Sequence, residues 1–228
     1  MQAVNKLLMM ILALPLALTA YGQRVSILGD SYSTFQGYIP PCNATWYSNP
    51  LDTARTDVAR VDQTWWWQVI EQAGFTLEVN DSYSGSTVSF YGYNEEDYAD
   101  RSFITRLPRL GQPDIIFIFG CINDSWTGVE PGKYKYRRIN KKDLYTYRPA
   151  LSWLLRYTRI LYPQAKVYYI IGDEIRDEIV ESTKVICRHY HIPYILLEGI
   201  DKKWGHPTVL GMRQIAEQVA ELLSAKKR

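Results

Sequence analysis

The sequence predicts a single three-layer α/β domain built around a parallel β-sheet. Short apolar runs rich in Val, Ile, Phe and Tyr alternate with longer segments of helical periodicity, which is the pattern of βαβ units. Most of the short runs are apolar at nearly every position, as strands buried on both faces should be. The chain has 228 residues and is 46% hydrophobic, which is enough for one packed core.

Five of the apolar runs are predicted strands, and helical patterns fill the segments between and after them. The strands are predicted at Val25–Asp30, Phe75–Asn80, Asp114–Gly120, Lys166–Asp173 and Pro193–Ile200. The last helical pattern opens with proline in its first turn, a position that proline favours, and repeats apolar residues on one face. The helices are predicted at Gln63–Ala73, Tyr98–Leu110, Leu144–Leu161, Glu174–His189 and Pro207–Ala225.

The amino terminus has the features of a secretory signal peptide. Lys6 is its one charge, an apolar run of 14 residues extends from Leu7 to Ala20, and Ala20-Tyr21-Gly22 resembles a cleavage site. That run is short for a bilayer core of roughly 30 Å, so we expect no stable membrane insertion after cleavage, although an uncleaved anchor is the alternative. The sequence therefore predicts a leader at residues 1–22, one domain at residues 23–228, and a periplasmic or secreted location.

Charge and cysteine content limit the partners and the disulfides that we expect. Lys and Arg number 26 against 24 Asp and Glu, and loss of Lys6 with the leader leaves a net charge near +1. This balance favours no polyanion, so a nucleic-acid partner is not expected. Cys42, Cys121 and Cys187 are widely spaced, can form at most one disulfide, and are equally consistent with buried thiols.

Two connections are longer than βαβ units require, and both contain aromatic residues. Loops of this length in compact domains are often functional, and the rings could line a sugar-binding cleft or simply pack within the loops. The first loop, Ser33–Asp62, holds Tyr38, Trp46 and Tyr47, and the second, Ser125–Asp143, holds Trp126, Tyr134 and Tyr136. We predict that Trp126 and Tyr32 contact the substrate.

Residues suited to acyl transfer follow the predicted strands. Ligands of open parallel sheets bind at the carboxyl ends of the strands, so these side chains should converge at one edge. A serine hydroxyl becomes a nucleophile when an imidazole takes its proton, and the oxyanion that forms needs preorganised donors. The segments concerned are Gly29-Asp30-Ser31, Ser84-Gly85-Ser86, Gly120-Cys121-Ile122-Asn123-Asp124 and Gly205-His206-Pro207.

These four segments resemble, in order, the four sequence blocks of the SGNH (GDSL-type) hydrolases. The resemblance extends from residue 29 to residue 207 and implies a flavodoxin-like sheet in the order 2-1-3-4-5, an acyl-serine mechanism, and no metal or other cofactor. It implies that Ser31 is the nucleophile and His206 the general base. It also implies that the Ser31 and Gly85 backbone N–H groups and the Asn123 amide form the oxyanion hole. Ser33 is an alternative nucleophile.

Two positions depart from the family pattern. Cys121 stands two residues before Asn123, where the family usually has glycine, and a Cβ there could crowd the oxyanion hole. Lys203 stands three residues before His206, where the family usually has the aspartate of the triad. We therefore predict Asp201 as the acid, with Glu198 as the second candidate and a backbone carbonyl, which would leave a Ser-His dyad, as the third.

The ester substrates that the resemblance implies include acetylated polysaccharides, lipids and thioesters. We expect an exported esterase that deacetylates a polysaccharide or oligosaccharide. A lysophospholipase or acyl-thioesterase is one alternative, and a catalytically inactive carbohydrate-binding domain is another. His189 and His191 lie at the opposite end of the fifth strand and are predicted to be structural, with no metal site.

Overall fold

A computed structural model describes residues 22–225, so the predicted leader lies outside the described residues except for Gly22. The sheet has the order β2-β1-β3-β4-β5 and all of its strands are parallel, which confirms the predicted α/β class and strand order. The strands are β1 (Arg24–Gly29), β2 (Thr76–Ser82), β3 (Ile115–Gly120), β4 (Lys166–Ile171) and β5 (Tyr194–Leu196). All six residues of β3 are buried, as a central parallel strand requires.

Helices cover the sheet. Helix α1 packs against α6, and α4 packs against α5. The α-helices are α1 (Trp65–Ala73), α2 (Phe103–Arg106), α3 (Ile122–Trp126), α4 (Tyr147–Leu161), α5 (Asp177–His189) and α6 (Val209–Ala225). None of the helices within residues 22–225 combines the length and the apolar character needed to cross a bilayer.

The carboxyl ends of the strands are aligned across the sheet. Gly29, the last residue of β1, pairs with Ser82 at the end of β2 and with Phe119 near the end of β3. At the other side, Ile171 of β4 pairs with Gly120 and with Leu196. The loops that follow β1, β2, β3 and β4 therefore leave the sheet at a common edge.

Several predicted elements have different bounds in the structure, and three of these differences have a clear local cause. The predicted helix Tyr98–Leu110 contains only the four residues of α2 and a following 3-10 turn at Leu107–Arg109, because Pro108 lacks the N–H that an α-helix needs. The predicted strand Pro193–Ile200 is limited to β5, and Gly199 has a left-handed φ of 64° beyond its end. The predicted α5 start at Glu174 is too early because Glu174 itself has a left-handed φ of 56°.

The beginning of α6 was also predicted wrongly. Pro207 is not in the first helical turn but in a two-residue strand, β7 (His206–Pro207), which pairs antiparallel with β6 (Lys202–Lys203). Helix α6 starts at Val209, whose backbone N–H donates to the Asp57 carboxylate at 2.9 Å. His206 therefore lies in a small hairpin, and the 33–62 loop, which contains Asp57, packs beside it.

Candidate active site

Ser31 is positioned by the end of β1. It begins a 3-10 helix at Ser31–Ser33, whose N-cap is Asp30, and the Asp30 carboxylate accepts the Tyr32 backbone N–H at 3.0 Å. Burial raises the pKa of Asp30 to about 7, because a carboxylate without solvent is costly. The serine that follows is only 2% exposed but stands at the edge where the strand loops converge.

His206 contacts Ser31 directly. The Ser31 Oγ lies 2.9 Å from His206 Nε2, and His206 Nδ1 lies 2.9 Å from the Trp204 carbonyl oxygen. A carbonyl oxygen can only accept, so Nδ1 must be the protonated nitrogen of the neutral ring. Nε2 is then free to accept the Ser31 hydroxyl proton, which is the tautomer that a general base needs.

The backbone around His206 is held on both sides by tyrosine hydroxyls. Tyr32 Oη donates to the Gly205 carbonyl at 2.6 Å, and Tyr47 Oη donates to the Pro207 carbonyl at 2.9 Å. The Trp46 ring stacks on the imidazole, with 3.4 Å between ring centroids and 8° between planes. These contacts fix the position and the plane of the imidazole.

The prediction that Asp201 contacts His206 is wrong. The Asp201 carboxylate accepts from the Thr208 hydroxyl, and the Asp201 carbonyl accepts the Thr208 backbone N–H at 3.1 Å. Antiparallel pairing of β6 with β7 places Asp201 opposite Thr208, two residues beyond His206. The imidazole Nδ1 faces Trp204 instead, in a turn where Trp204 and Gly205 both have left-handed φ values.

The other carboxylate candidate does not reach the imidazole either. Glu198 is exposed, and its backbone exchanges hydrogen bonds with the Gln218 side chain. Lys203, at the family's aspartate position, donates to the Thr53 carbonyl and ties the hairpin to the 33–62 loop. The geometry therefore corresponds to the third alternative, a Ser-His pair completed by a backbone carbonyl.

The three predicted oxyanion donors are the Ser31 and Gly85 backbone N–H groups and the Asn123 amide. Asn123 is buried in α3, and one N–H of its amide donates to the Ser86 carbonyl at 3.0 Å, which leaves the second N–H available. Gly85 has a left-handed φ of 82°, a conformation that suits glycine. Within residues 22–225, neither the Ser31 nor the Gly85 backbone N–H donates to a protein acceptor. The arrangement is thus suited to an oxyanion.

A buried arginine connects the first two loops. Arg106 of α2 donates to the Gly29 carbonyl at 3.1 Å and to the Ser86 hydroxyl at 2.8 Å, and it pairs with the Asp81 carboxylate at 3.6 Å. Burial lowers its pKa to about 10, so the guanidinium still carries its charge at neutral pH. It links the end of β1 to the loop that contains Gly85.

Asp124 joins α3 to the segment after Gly85, and Cys121 directly precedes the helix. The Asp124 carboxylate accepts the Val88 and Ser89 backbone N–H groups at 2.7 and 3.0 Å. Cys121 has a left-handed φ of 80° and is buried with the core, which explains why glycine suits this position in the family. All three cysteines are free thiols, Cys42 exposed and the other two buried.

The aromatic residues of the two long loops have different locations. Trp126 is 44% exposed and lies beside His206, with 6.0 Å between ring centroids, so its ring is accessible and its contact with substrate stays a prediction. Tyr32 is buried and its hydroxyl donates to the Gly205 carbonyl, so its side chain has a structural role, and its contact with substrate stays a prediction. Tyr38 packs on Trp66 and Trp67, whereas Tyr134 lies under Arg148 and Tyr136 stacks on His189.

Sequence reasoning missed several residues of the site. Tyr93 Oη donates to Asn123 Oδ1 at 2.7 Å, although Tyr93 belongs to no strand-end motif. Arg106 lay within an apparently ordinary helix, and its complete burial is a tertiary property. Trp204 was visible only as a neighbour of His206, yet it is 72% exposed at the hairpin tip and supplies the carbonyl bound by the imidazole.

Electrostatics keep His206 neutral. Burial is the main cause that lowers its pKa to about 4, and the positive charges of Arg55 and Lys202 lower it further. The hydrogen bond to the Trp204 carbonyl raises the pKa of His206, but this carbonyl carries no full charge. Arg55 lies above the outer face of Trp46, with 4.0 Å from its guanidinium carbon to the ring centroid, so the indole separates it from the imidazole.

We expect the acidic limb of kcat/KM to lie near pH 4 and not near pH 6.5, because the base works only while neutral and its pKa is lowered. Initial rates measured across this range, with circular dichroism to exclude unfolding, check this. Arg55→Met should move the limb to higher pH, since removing a cation favours the imidazolium. A limb near pH 6.5 in the unmodified protein would contradict the prediction.

Asp201→Asn should reduce turnover by less than about tenfold, in contrast to the ~10⁴ lost when a triad aspartate is replaced. The reason is that the carboxylate contacts Thr208 and not His206. Steady-state kinetics with a soluble ester measure the effect, and Glu198→Gln is the matched control at another exposed acid. A loss of three orders of magnitude for Asp201→Asn would show that its carboxylate reaches His206 during turnover.

The fold and this site together define a class: α/β proteins with a paired serine and histidine at the carboxyl edge of a parallel sheet. The chain belongs to the GDSL-like lipase/acylhydrolase family, whose model matches residues 23–223, and it is therefore a hydrolase of the esterase type. This confirms the resemblance to SGNH hydrolases.

Two solved structures from Bacteroides are similar over nearly their whole length. Both are described as GDSL-like lipases. The one from Bacteroides uniformis is 51% identical with a TM-score of 0.87, and the match covers 90% of this chain and 96% of the other. The one from Bacteroides ovatus is 48% identical with the same TM-score, covering 90% and 99%.

A more distant structural neighbour is an acetyl xylan esterase from Butyrivibrio proteoclasticus. It is 16% identical with a TM-score of 0.59, and the match covers 91% of this chain and 65% of the other. At this identity the likeness concerns the fold alone. Comparison with functionally curated proteins gave no significant match.

Proposed function

We propose that the protein is a serine esterase that cleaves carboxylic esters through an acyl intermediate on Ser31. The observation that carries this proposal is the 2.9 Å contact between Ser31 Oγ and the unprotonated Nε2 of His206. Nε2 takes the hydroxyl proton as Oγ bonds to the ester carbonyl carbon. The carbonyl oxygen becomes an oxyanion facing the Ser31 and Gly85 backbone N–H groups and the free N–H of Asn123.

The remaining steps need no further group. His206 returns its proton to the departing alkoxide, and the C–O bond to the alcohol breaks to leave the acyl-enzyme. Water then adds to the acyl carbon and gives a proton to Nε2. The bond between the acyl carbon and Ser31 Oγ breaks, the carboxylic acid leaves, and Nε2 returns the proton to Oγ. During both steps the Trp204 carbonyl accepts the Nδ1–H of the imidazolium, in the place where a triad has a carboxylate.

The proposed substrate is a carbohydrate that carries acetyl or similar small acyl groups. Trp126 is exposed beside His206, and Trp204 is exposed at the tip of the hairpin that carries His206. Exposed indole rings offer flat apolar faces with a polar edge. The fold shared with an acetyl xylan esterase is consistent with this substrate. We also propose that the predicted leader exports the protein, since polysaccharides are met outside the cytoplasm.

The nucleophile and the acyl preference can be tested together. A fluorophosphonate should form one adduct, which peptide mass spectrometry would find on the peptide containing Ser31. Rates on p-nitrophenyl esters should fall steeply from acetate to longer chains, and acetate should be released from acetylated xylan or pectin. A preference for long acyl chains would indicate a lysophospholipase or thioesterase, and absence of both labelling and turnover would indicate a binding domain.

The role of the indole rings has its own expected result. Trp126→Ala should raise KM for an acetylated polysaccharide by about tenfold while leaving p-nitrophenyl acetate hydrolysis within about twofold, because only the polymer is large enough to stack on the ring. Tyr134→Ala is the matched control, since this exposed ring packs under Arg148 instead of facing His206. Equal loss on both substrates would contradict the sugar-binding role of Trp126.

A further inference from the structure

The amide of Asn123 is held by two partners of opposite polarity. The Ser86 carbonyl can only accept, so the NH₂ group of the amide must face it, and Oδ1 must therefore face Tyr93. Because Oδ1 cannot donate, the Tyr93 hydroxyl is the donor in that contact. The two contacts leave the second N–H of the amide free and fix its direction.

The Tyr93 hydroxyl remains a donor throughout the usual pH range. Burial is the main cause that raises its pKa above the ordinary value for tyrosine, and the nearby Asp30 and Asp124 carboxylates raise it further. A phenol in this setting does not ionise. It therefore polarises the Asn123 carbonyl, and in a hydrogen-bonded chain this strengthens the N–H on the other side of the amide.

The loop at residues 91–97, which contains Tyr93, has an unusual backbone. Asn94 and Glu95, which follow Tyr93, both have left-handed φ values of 54° and 62°, and such conformations in residues other than glycine are costly. The loop is closed by a bridge between Tyr91 and Asp97. Such a strained backbone next to Asn123 is consistent with a loop that holds the Tyr93 side chain in one position.

An independent contact anchors the same loop from outside. The Asp97 carboxylate accepts the Tyr145 hydroxyl at 2.8 Å and the Ala99 backbone N–H at 2.9 Å. Tyr145 does not contact Asn123, so its hydroxyl holds the loop without touching the amide. The chain thus supplies a comparison between holding the loop and donating to Asn123.

We propose that Tyr93 is a positioning residue of the esterase, and that its hydroxyl orients and polarises the Asn123 amide for the oxyanion. This inference rests on the proposed serine esterase mechanism. The hydroxyl contributes most when negative charge develops on the carbonyl oxygen. Its loss therefore lowers kcat and leaves KM nearly unchanged, as expected for an interaction stronger in the transition state than in the ground state.

A double-mutant cycle with p-nitrophenyl acetate tests the proposal. Tyr93→Phe keeps the ring and removes only the hydroxyl, and it should lower kcat by about tenfold. In an Asn123→Ala background the same change should lower kcat by less than about twofold, because the group through which Tyr93 acts is absent. Tyr145→Phe, the matched control, should leave kcat within about twofold of the unmodified protein.

Two results would overturn the inference. Equal losses for Tyr93→Phe with and without Asn123 would mean that the hydroxyl acts on the substrate or the fold directly. No loss at all from Tyr93→Phe would mean that the Ser86 contact alone orients the amide. Fluorophosphonate labelling of Ser31 in the unmodified protein separates these results from failure of the esterase mechanism. Labelling persists if only the role of Tyr93 is wrong, and it is absent if Ser31 is not the nucleophile.

Discussion

Ser31→Ala should leave a folded protein with almost no esterase turnover. We expect kcat to fall by about 10⁴ to 10⁶-fold, the range found when the nucleophile of a serine hydrolase is removed. The change removes one oxygen atom, and within residues 22–225 the hydrogen-bond partner of Ser31 Oγ is His206. The thermal midpoint should therefore change little, so loss of turnover would not reflect unfolding.

Ser33→Ala is the matched control for this experiment. Ser33 lies two residues further along the same 3-10 helix, but its hydroxyl accepts the Trp65 indole N–H at 3.1 Å and is directed into the core. Its removal leaves a buried donor unpaired, which should cost about 1–3 kcal/mol of stability while turnover remains. Turnover retained in Ser31→Ala and lost in Ser33→Ala would place the nucleophile at Ser33.

The common edge of the sheet could be predicted because it follows from local patterns. Apolar runs define strands, parallel strands end at one edge, and the residues just after them must converge there. The position of Ser31, Gly85 and Asn123 after three of these strands needed only this reasoning, whereas their roles come from the family resemblance and stay predictions. The left-handed φ of Cys121 accounts for the glycine that the family usually has at this position, because glycine adopts that conformation without strain and cysteine does not.

The partner of His206 could not be predicted in the same way. Counting back from the histidine offers Asp201, but the β6–β7 hairpin and its two left-handed residues, Trp204 and Gly205, decide which groups face the ring. Four residues of the 33–62 loop, Trp46, Tyr47, Thr53 and Asp57, then hold the hairpin. Such contacts join segments about 150 residues apart, and no short motif encodes them.

The arrangement suggests how a serine hydrolase tolerates the missing carboxylate. An aspartate in a triad fixes the tautomer and orientation of the imidazole and stabilises the imidazolium. Here the Trp204 carbonyl fixes the tautomer, and the Trp46 stack with the Tyr32 and Tyr47 hydrogen bonds fixes the orientation. Only a full negative charge is missing, and this agrees with the low pKa of His206.

Asn123→Ala should lower kcat by about 10² to 10³-fold with little change in KM, which is the usual cost of losing one oxyanion donor. Asn123 is buried and both sides of its amide are engaged, so the change also leaves the Ser86 carbonyl and the Tyr93 hydroxyl without their partner. Some loss of stability is therefore expected, and activity must be measured below the lowered thermal midpoint.

Asn80→Ala separates the loss of a buried amide from the loss of an oxyanion donor. Asn80 is buried to a similar degree, its Nδ2 donates to the Ser33 carbonyl at 2.9 Å, and its Oδ1 accepts the Ser82 hydroxyl at 2.6 Å. The two substitutions thus remove the same kinds of hydrogen bond and should cost similar stability. In a single-turnover experiment, only Asn123→Ala should greatly lower the rate at which Ser31 is acylated. Equal losses from both variants, or a change confined to KM, would show that the Asn123 amide does not bind the oxyanion.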